Sequence, residues 1–307
     1  MESPHLWVGL VLVAVVAQTV RNFAQRSIGK LANPWAATLV RFLYGLPFTI
    51  LAMATLVKFM GPLPPLAAFG VAYWIWIGLA TAAQLLATAW LLMSMAKSSF
   101  VIAVALSKTE LAQIVIFSML ALQQDTTVLV LIAICIVSFG VLVLATAGRH
   151  RTDMAGLSRA ALLGVSSGTA FALAALGFRE AGLAFLANSS VHVSSFYVGV
   201  WNLLLAQLAQ SVLLGGWLAW RERSSLAAIL NLWRSSLGAG FFGALASMAW
   251  FTAYVLRPAA DVRTLGMLEI VLSYFVSRRL LHEGITWREV FAILLICTGV
   301  ALTALQG

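Results

Sequence analysis

From Leu6 to Leu305 the sequence is a succession of apolar runs about twenty residues long, parted by short polar or proline-bearing stretches. A helix of that length crosses the hydrocarbon core of a bilayer. The runs predict spans near residues 6–24, 34–57, 68–95, 100–122, 127–147, 160–177, 190–220, 238–256, 259–281 and 290–305. That is an all-α integral membrane protein of ten transmembrane helices, with little chain left for a soluble domain. Composition agrees, because 62% of the 307 residues are apolar and 9% charged, against about a quarter charged in soluble domains. The net charge of +9 does not mark a nucleic-acid binder, since the basic residues are scattered through short connections between spans. Cys135 and Cys297 lie in apolar runs without metal-ligand spacing and read as buried small hydrophobes. No metal site, disulfide framework or cofactor is expected. MESPHLWVGL lacks a basic n-region and an A-x-A site, so it reads as the start of the first span and not as a signal peptide.

Two glutamates stand near the centres of apolar runs, Glu110 in VIAVALSKTELAQIVIFSML and Glu269 in TLGMLEIVLSYFV. An ionisable group at that depth is costly. It pairs or meets water, and a functional role is the default hypothesis. The two are also related by position. Adding 159 takes Glu110 to Glu269, Thr127 to Thr286, Gly140 to Gly299 and Val141 to Val300. Adding 160 takes Ala89-Trp90 to Ala249-Trp250 and Lys97 to Arg257. Five spans per copy is an odd number, so the second copy must enter the membrane from the opposite side. The expected organisation is a five-helix repeat over residues 1–148, a basic cytoplasmic linker over 149–159 and an inverted five-helix repeat over 160–307. Inverted repeats build many secondary transporters, with the site near the midplane where the copies meet.

Orientation follows from Lys and Arg in short loops. Connections after odd-numbered spans hold Arg26, Lys30, Lys97, Arg149, Arg151, Arg159, Arg221, Arg223, Arg234, Arg279 and Arg288, whereas those after even-numbered spans hold Lys58, Arg179, Arg257 and Arg263. Odd connections are therefore expected in the cytoplasm and both termini outside.

The end of each half carries a family likeness. HEGITWREVFAILLICTGVAL (His282–Leu302) resembles the acidic residue, turn, threonine and closing Gly-Val span of the EamA-type transporters in the drug/metabolite transporter superfamily. QDTTVLVLIAICIVSFGVLV is the related first-half segment, with Gln124 where the second half has Glu283. The basic stretch after the first span, followed by Pro34 and Arg41, is also similar. The resemblance covers essentially the whole chain and implies a bacterial inner-membrane, multi-pass metabolite efflux protein. One departure is that the family often carries proline where this chain has Glu110 and Glu269. The smaller multidrug-resistance relatives use a membrane-embedded glutamate for proton-coupled export of cations. They carry it in their first span, so the likeness is one of chemistry and not of position.

The candidate site gathers around these carboxylates. Burial disfavours the charged form of a carboxylate, and a carboxyl group that takes a proton on one side and releases it on the other couples transport to protons. The competing role is structural pairing. A regular helix turns Lys108 to a different face from Glu110, so a partner from another span is expected, such as Arg41. Arg263 is nearly two turns before Glu269, and Ser273 shares the face of Glu269. Lys108 and Arg41 could bind a substrate carboxylate or balance a glutamate, and Arg21 is expected to snorkel to the interface. Gln18 and Asn22, Gln84, Gln113, and Asn202 with Gln207 and Gln210 suggest a wet cavity, each alone being ordinary interhelical glue. Trp90, Trp250 and Tyr254 are candidate cavity aromatics. Trp7, Trp35, Trp217, Trp220 and Trp287 read as the interfacial belt, and His192 as an interface residue. Gly164-Val-Ser-Ser-Gly168 reads as a close helix contact.

Walker A, GxGxxG, HExxH and GxSxG motifs are absent, which disfavours an ATP-driven pump and an enzyme. The expected function is a secondary active exporter of a small polar or cationic metabolite, such as an amino acid or amine, with protons as the coupling ion. Its partners are the small-molecule substrate and membrane lipid, with no nucleic acid, in a monomer or homodimer. A lipid or carrier-lipid flippase is the alternative and would favour a laterally open groove.

Overall fold

The computed structural model describes residues 5–31, 33–62, 69–98, 100–123, 127–147, 154–189, 193–281 and 287–304. Gln124, Glu283, His192 and the first part of the 149–159 linker lie outside them. All regular structure among the described residues is helical. The first half holds α1 (Leu6–Leu31), α2 (Pro34–Leu43), α3 (Leu46–Met60), α4 (Val71–Lys97), α5 (Phe100–Ser107), α6 (Glu110–Ala121) and α7 (Val128–Ala147). The second holds α8 (Met154–Asn188), α9 (Ser195–Arg221), α10 (Arg223–Asn231), α11 (Trp233–Leu256), α12 (Ala259–Leu265), α13 (Leu268–Leu281) and α14 (Trp287–Ala304). Seven segments are long and apolar enough to cross a membrane, among them Leu6–Lys30, Pro34–Met60 and Arg159–Asn188, and Val128–Val143 and Val290–Gly299 are shorter apolar helices.

Two helices run through charge that the sequence reading takes as their end. α1 continues to Leu31, and on it Gln25 Nε2 donates to the Ala37 carbonyl at 2.7 Å, so its amide nitrogen finds an acceptor inside the protein. The chain then turns at Asn33, whose side chain accepts from Ala36 N at 2.7 Å and caps α2, with Pro34 pre-set for the first turn. α8 runs past Arg179 to Asn188 because the guanidinium finds acceptors inside the protein. Its Nη1 donates to the Tyr254 carbonyl at 2.7 Å and to the Arg257 carbonyl, where the end of α11 leaves carbonyls without helical partners.

Three predicted spans are broken. Residues 34–57 divide at Tyr44-Gly45, where a Cβ on Gly45 would lie 2.6 Å from the Arg41 carbonyl and 2.7 Å from Gln207 Nε2. The other breaks, at 108–109 and 266–267, fall beside the two glutamates.

α4 packs along α8, α1 along α11 and α7 along α14. The last pair meets through glycine. A Cβ on Gly299 would lie 2.5 Å from Val137 Cγ2 and 2.8 Å from the Ala133 carbonyl, and one on Gly140 would lie 3.0 Å from the Ala292 carbonyl and from Ile296 Cγ1. Polarity is inverted relative to a soluble protein. Charged side chains lie in the centre, while Leu51, Phe59, Leu120 and Val212 face outward. Cys135 and Cys297 are exposed on this apolar exterior, which corrects their reading as core residues: the outer faces of α7 and α14 are as apolar as their inner ones, so hydropathy cannot tell lipid from core. Trp7 also departs from the expected belt. It is buried, with the Arg257 guanidinium 5.5 Å from its ring centroid.

Candidate functional site

The two deeper breaks share one backbone geometry. At the first, Lys108 N donates to Ala105 O (3.1 Å) and Leu111 N to Lys108 O (3.2 Å). At the second, Met267 N donates to Thr264 O (3.0 Å) and Ile270 N to Met267 O (3.0 Å), the same two bonds 159 residues later. These are three-residue bonds, tighter than α-helix. Side chains cause the first, because the Ser107 hydroxyl donates to Val104 O at 2.7 Å and the Thr109 hydroxyl to Leu106 O at 2.9 Å, competing with the helical ladder. Glycines press on both. A Cβ on Gly168 of α8 would lie 2.7 Å from Ser107 O, and one on Gly266 would lie 2.5 Å from Trp250 Cη2. Gly164 faces Leu106 at 2.6 Å on the same reckoning, so the GVSSG stretch is the close contact that small residues permit.

Each break starts a second helix with a glutamate in its first turn, Glu110 on α6 and Glu269 on α13, where the helix dipole favours negative charge. Both are 1% exposed. Glu269 accepts at both oxygens, from Asn22 Nδ2 at Oε1 (2.8 Å) and from Gln18 Nε2 (2.6 Å) and Lys108 Nζ (2.5 Å) at Oε2. Glu110 Oε1 pairs with the Arg263 guanidinium and lies 3.4 Å from Lys108 Nζ. Its Oε2 is buried without a partner among the described residues. One lysine thus bridges the two carboxylates.

The expected partner of Glu110 is therefore corrected. It is Arg263 with Lys108, not Arg41. In α-helix, residues two apart point about 160° from one another, whereas in the tighter turn they diverge by about 120°, and the long lysine closes the rest. Arg41 instead donates from Nη1 to Thr88 Oγ1 (2.8 Å) and from Nη2 to Ser247 Oγ (3.2 Å). Arg21 does not snorkel. It is 1% exposed and holds Asn22 Oδ1 with Nε (3.2 Å) and Nη2 (2.7 Å).

Trp250 joins the network by donating Nε1–H to Gln18 Oε1 at 2.9 Å. Its ring stacks on Tyr254 and carries the Arg263 guanidinium 4.7 Å from its centroid, a cation–π contact. Gln18, Asn22, Lys108, Glu110, Trp250, Tyr254 and Glu269 are thus brought together. The other candidates are not bonded into this network. Gln84 accepts from Gln210 Nε2 at 3.0 Å, and Asn202 accepts from Tyr73 OH at 2.9 Å, so these polar residues bind helices to one another. Among the described residues the Gln113 side chain reaches Thr109 alone, at 3.4 Å. Trp90 is half-buried on α4. Ser273 is buried, and its hydroxyl has no partner among the described residues. Arg263 is the member that sequence reasoning missed, since it counts there as a loop charge. Gly266, a glycine amid a span, is the signal that marks the break beside it.

Comparison with known proteins adds three findings. Residues 158–305 match the EamA-like transporter family. No match is found among curated proteins. A protein of known crystal structure superposes with a TM-score of 0.70 at 16% identity, covering 99% of this chain and 97% of its own, a likeness of fold alone.

Proposed function

Residues 158–305 form an EamA-like transporter domain of the drug/metabolite transporter superfamily, and from that premise we propose a secondary active exporter of a small polar metabolite, with Glu110 and Glu269 coupling its movement to protons. The protein is a multi-pass membrane transporter. Its substrate, direction and coupling are our reading. The observation that carries it is that two carboxylates, one from each broken span, share Lys108. A network buried this deeply seals the centre while Lys108 and Arg263 stay paired with the two carboxylates. Protonation of Glu269 would remove the charge that holds Lys108 at 2.5 Å and release the contact between the spans. An amino acid fits better than an amine, because the buried cations outnumber the carboxylates.

The arrangement is read as two inverted halves, 1–148 and 160–307, making ten spans in all. Supporting it are the paired backbone bonds 159 residues apart, the reciprocal contacts of Gly140 and Gly299, and the packing of α1 on α11 and α4 on α8. Alternating access is then the rocking of one half against the other about a fixed site. The charge rule puts both termini outside a bacterial inner membrane. Arg179 and Arg263, inside the protein, leave the non-cytoplasmic count and sharpen the asymmetry.

The test is uptake into proteoliposomes under an imposed pH gradient, screened over amino acids. Glu269→Gln and Glu110→Gln are each expected to abolish gradient-driven accumulation. If both transport with unchanged pH dependence, the coupling proposal fails. One observation favours a lipid flippase, an apolar groove of about 350 Å³ lined by Trp35, Leu85, Leu213, Leu214 and Trp217. Movement of a fluorescent lipid in the same vesicles would support that reading.

A further inference from the structure

The network around Glu110 and Glu269 leaves two cations unaccounted for. The buried ionisable side chains among the described residues are Arg21, Arg41, Lys108 and Arg263 against Glu110 and Glu269, four cations facing two carboxylates. Lys108 and Arg263 are the two in ion pairs. Arginine stays protonated at any accessible pH, so deprotonation cannot remove the excess, and an uncompensated buried charge is strongly unfavourable.

Arg21 and Arg41 come from different helices and converge. Gly243 of α11 lies against both, and a Cβ there would sit 3.3 Å from Arg21 Cδ and 3.3 Å from Arg41 Cγ. Arg21 meets only the neutral Asn22 amide oxygen, through two of its nitrogens, and its Nη1 is buried with no acceptor among the described residues. Arg41 meets the hydroxyls of Thr88 and Ser247 and lies over the Phe42 ring. The Thr88 hydroxyl already donates to Gln84 O at 2.9 Å, so it turns a lone pair toward Arg41 and holds the guanidinium in place without neutralising it. Two forked donors held side by side, one with a free N–H, are complementary to the oxygens of an anion.

We propose that Arg21 and Arg41 form an anion subsite that takes the carboxylate or phosphate group of the transported molecule. This rests on the transporter reading and deepens it, naming an acid-bearing substrate. An amino acid would place its carboxylate between the arginines. A bare amine would leave the arginines uncompensated.

The test is thermal unfolding of the purified full chain in detergent, with three matched probe sets: amino acids, the corresponding amino-acid amides, and the corresponding decarboxylated amines. Inorganic phosphate is a fourth arm. At least one acid, or phosphate, is expected to raise the unfolding temperature by several degrees, and its amide and amine by none. Stabilisation by acids assigns a carboxylate, and stabilisation by phosphate alone assigns a phosphate-bearing substrate. Arg41→Gln and Arg21→Gln are expected to abolish the shift, while Arg41→Lys, which keeps the charge, retains part of it. Amides or amines stabilising as well as acids, or no stabilisation by any acid or by phosphate, overturns the subsite. If acids stabilise but proteoliposomes transport none of them, the subsite stands and the transport reading fails.

Discussion

Lys108 is the residue on which the centre of the protein turns. It has one ammonium group and two carboxylates, 2.5 Å and 3.4 Å away. Removing one partner of a buried pair is harmful chiefly because it leaves the other charge unpaired, at about 3–5 kcal/mol. Lys108→Met is therefore expected to destabilise by that order. Lys108→Met with Glu269→Gln should be more stable than Lys108→Met alone, because the second change removes the stranded charge. Thermal melts of the four proteins decide it, and simple additivity would mean that the pair is not coupled. The sequence exposes both glutamates and the lysine, because charges stand out among Ala, Leu and Val. It does not expose their pairing. Regular helix geometry turns Lys108 away from Glu110, and only the three-residue bonds at 108–111 undo that. Arg21 and Arg41 are similarly visible as charges, but their proximity depends on Gly243, a residue of α11 more than 200 positions away.

At the scale of elements, hydropathy locates the spans and is blind to their interruptions. A window over 100–122 averages across Ser107 and Thr109, whose hydroxyl bonds break the helix, and the window over 259–281 averages across Gly266. Hydropathy likewise stops α8 at Arg179, although that side chain finds two carbonyls of the α11–α12 turn. The first break is held from outside by α8, the second by Trp250 of α11. Gly168→Ala would place its methyl 2.7 Å from the Ser107 carbonyl, and overpacking against backbone destabilises by about 1–3 kcal/mol. Gly238, on α11, has nothing within 4 Å of its would-be Cβ. Gly238→Ala is therefore expected to be neutral or to stabilise by up to about 1 kcal/mol, the helix propensity gain. Unfolding of the two variants side by side checks the contrast, and equal effects would mean that Gly168 is not clamped.

At the scale of the whole molecule, the apolar exterior makes a prediction that a buried-cysteine reading does not. Cys135 and Cys297 face outward on apolar helices, so lipid shields them from water. With a nitroxide spin label attached at either cysteine, oxygen dissolved in the lipid should relax the label and a water-soluble nickel chelate should not. A label that neither agent reaches would place the two side chains in the core. The all-helical, membrane-spanning character of the chain was legible in the sequence, because it follows from the lengths of the apolar runs. Which thiol, tryptophan or arginine faces inward was not, because in a bilayer the outside of a helix is as apolar as its packed side.

The doubled glutamates have a consequence of their own. Under the 159-residue register, Glu110 answers to Glu269, but Lys108 answers to Met267 and Arg263 to Val104. The acids are duplicated and the bases are not. A rocker made of two equivalent halves would rest level, with its two poses mirror images of equal free energy. Here every counter-charge is held by one half only, so exchanging the roles of the halves does not reproduce the same set of pairs. On the proposed reading of two rocking halves, the rocker is weighted: one pose is the ground state before any gradient or cargo acts, and moving Lys108 to position 267 would be expected to tip it the other way.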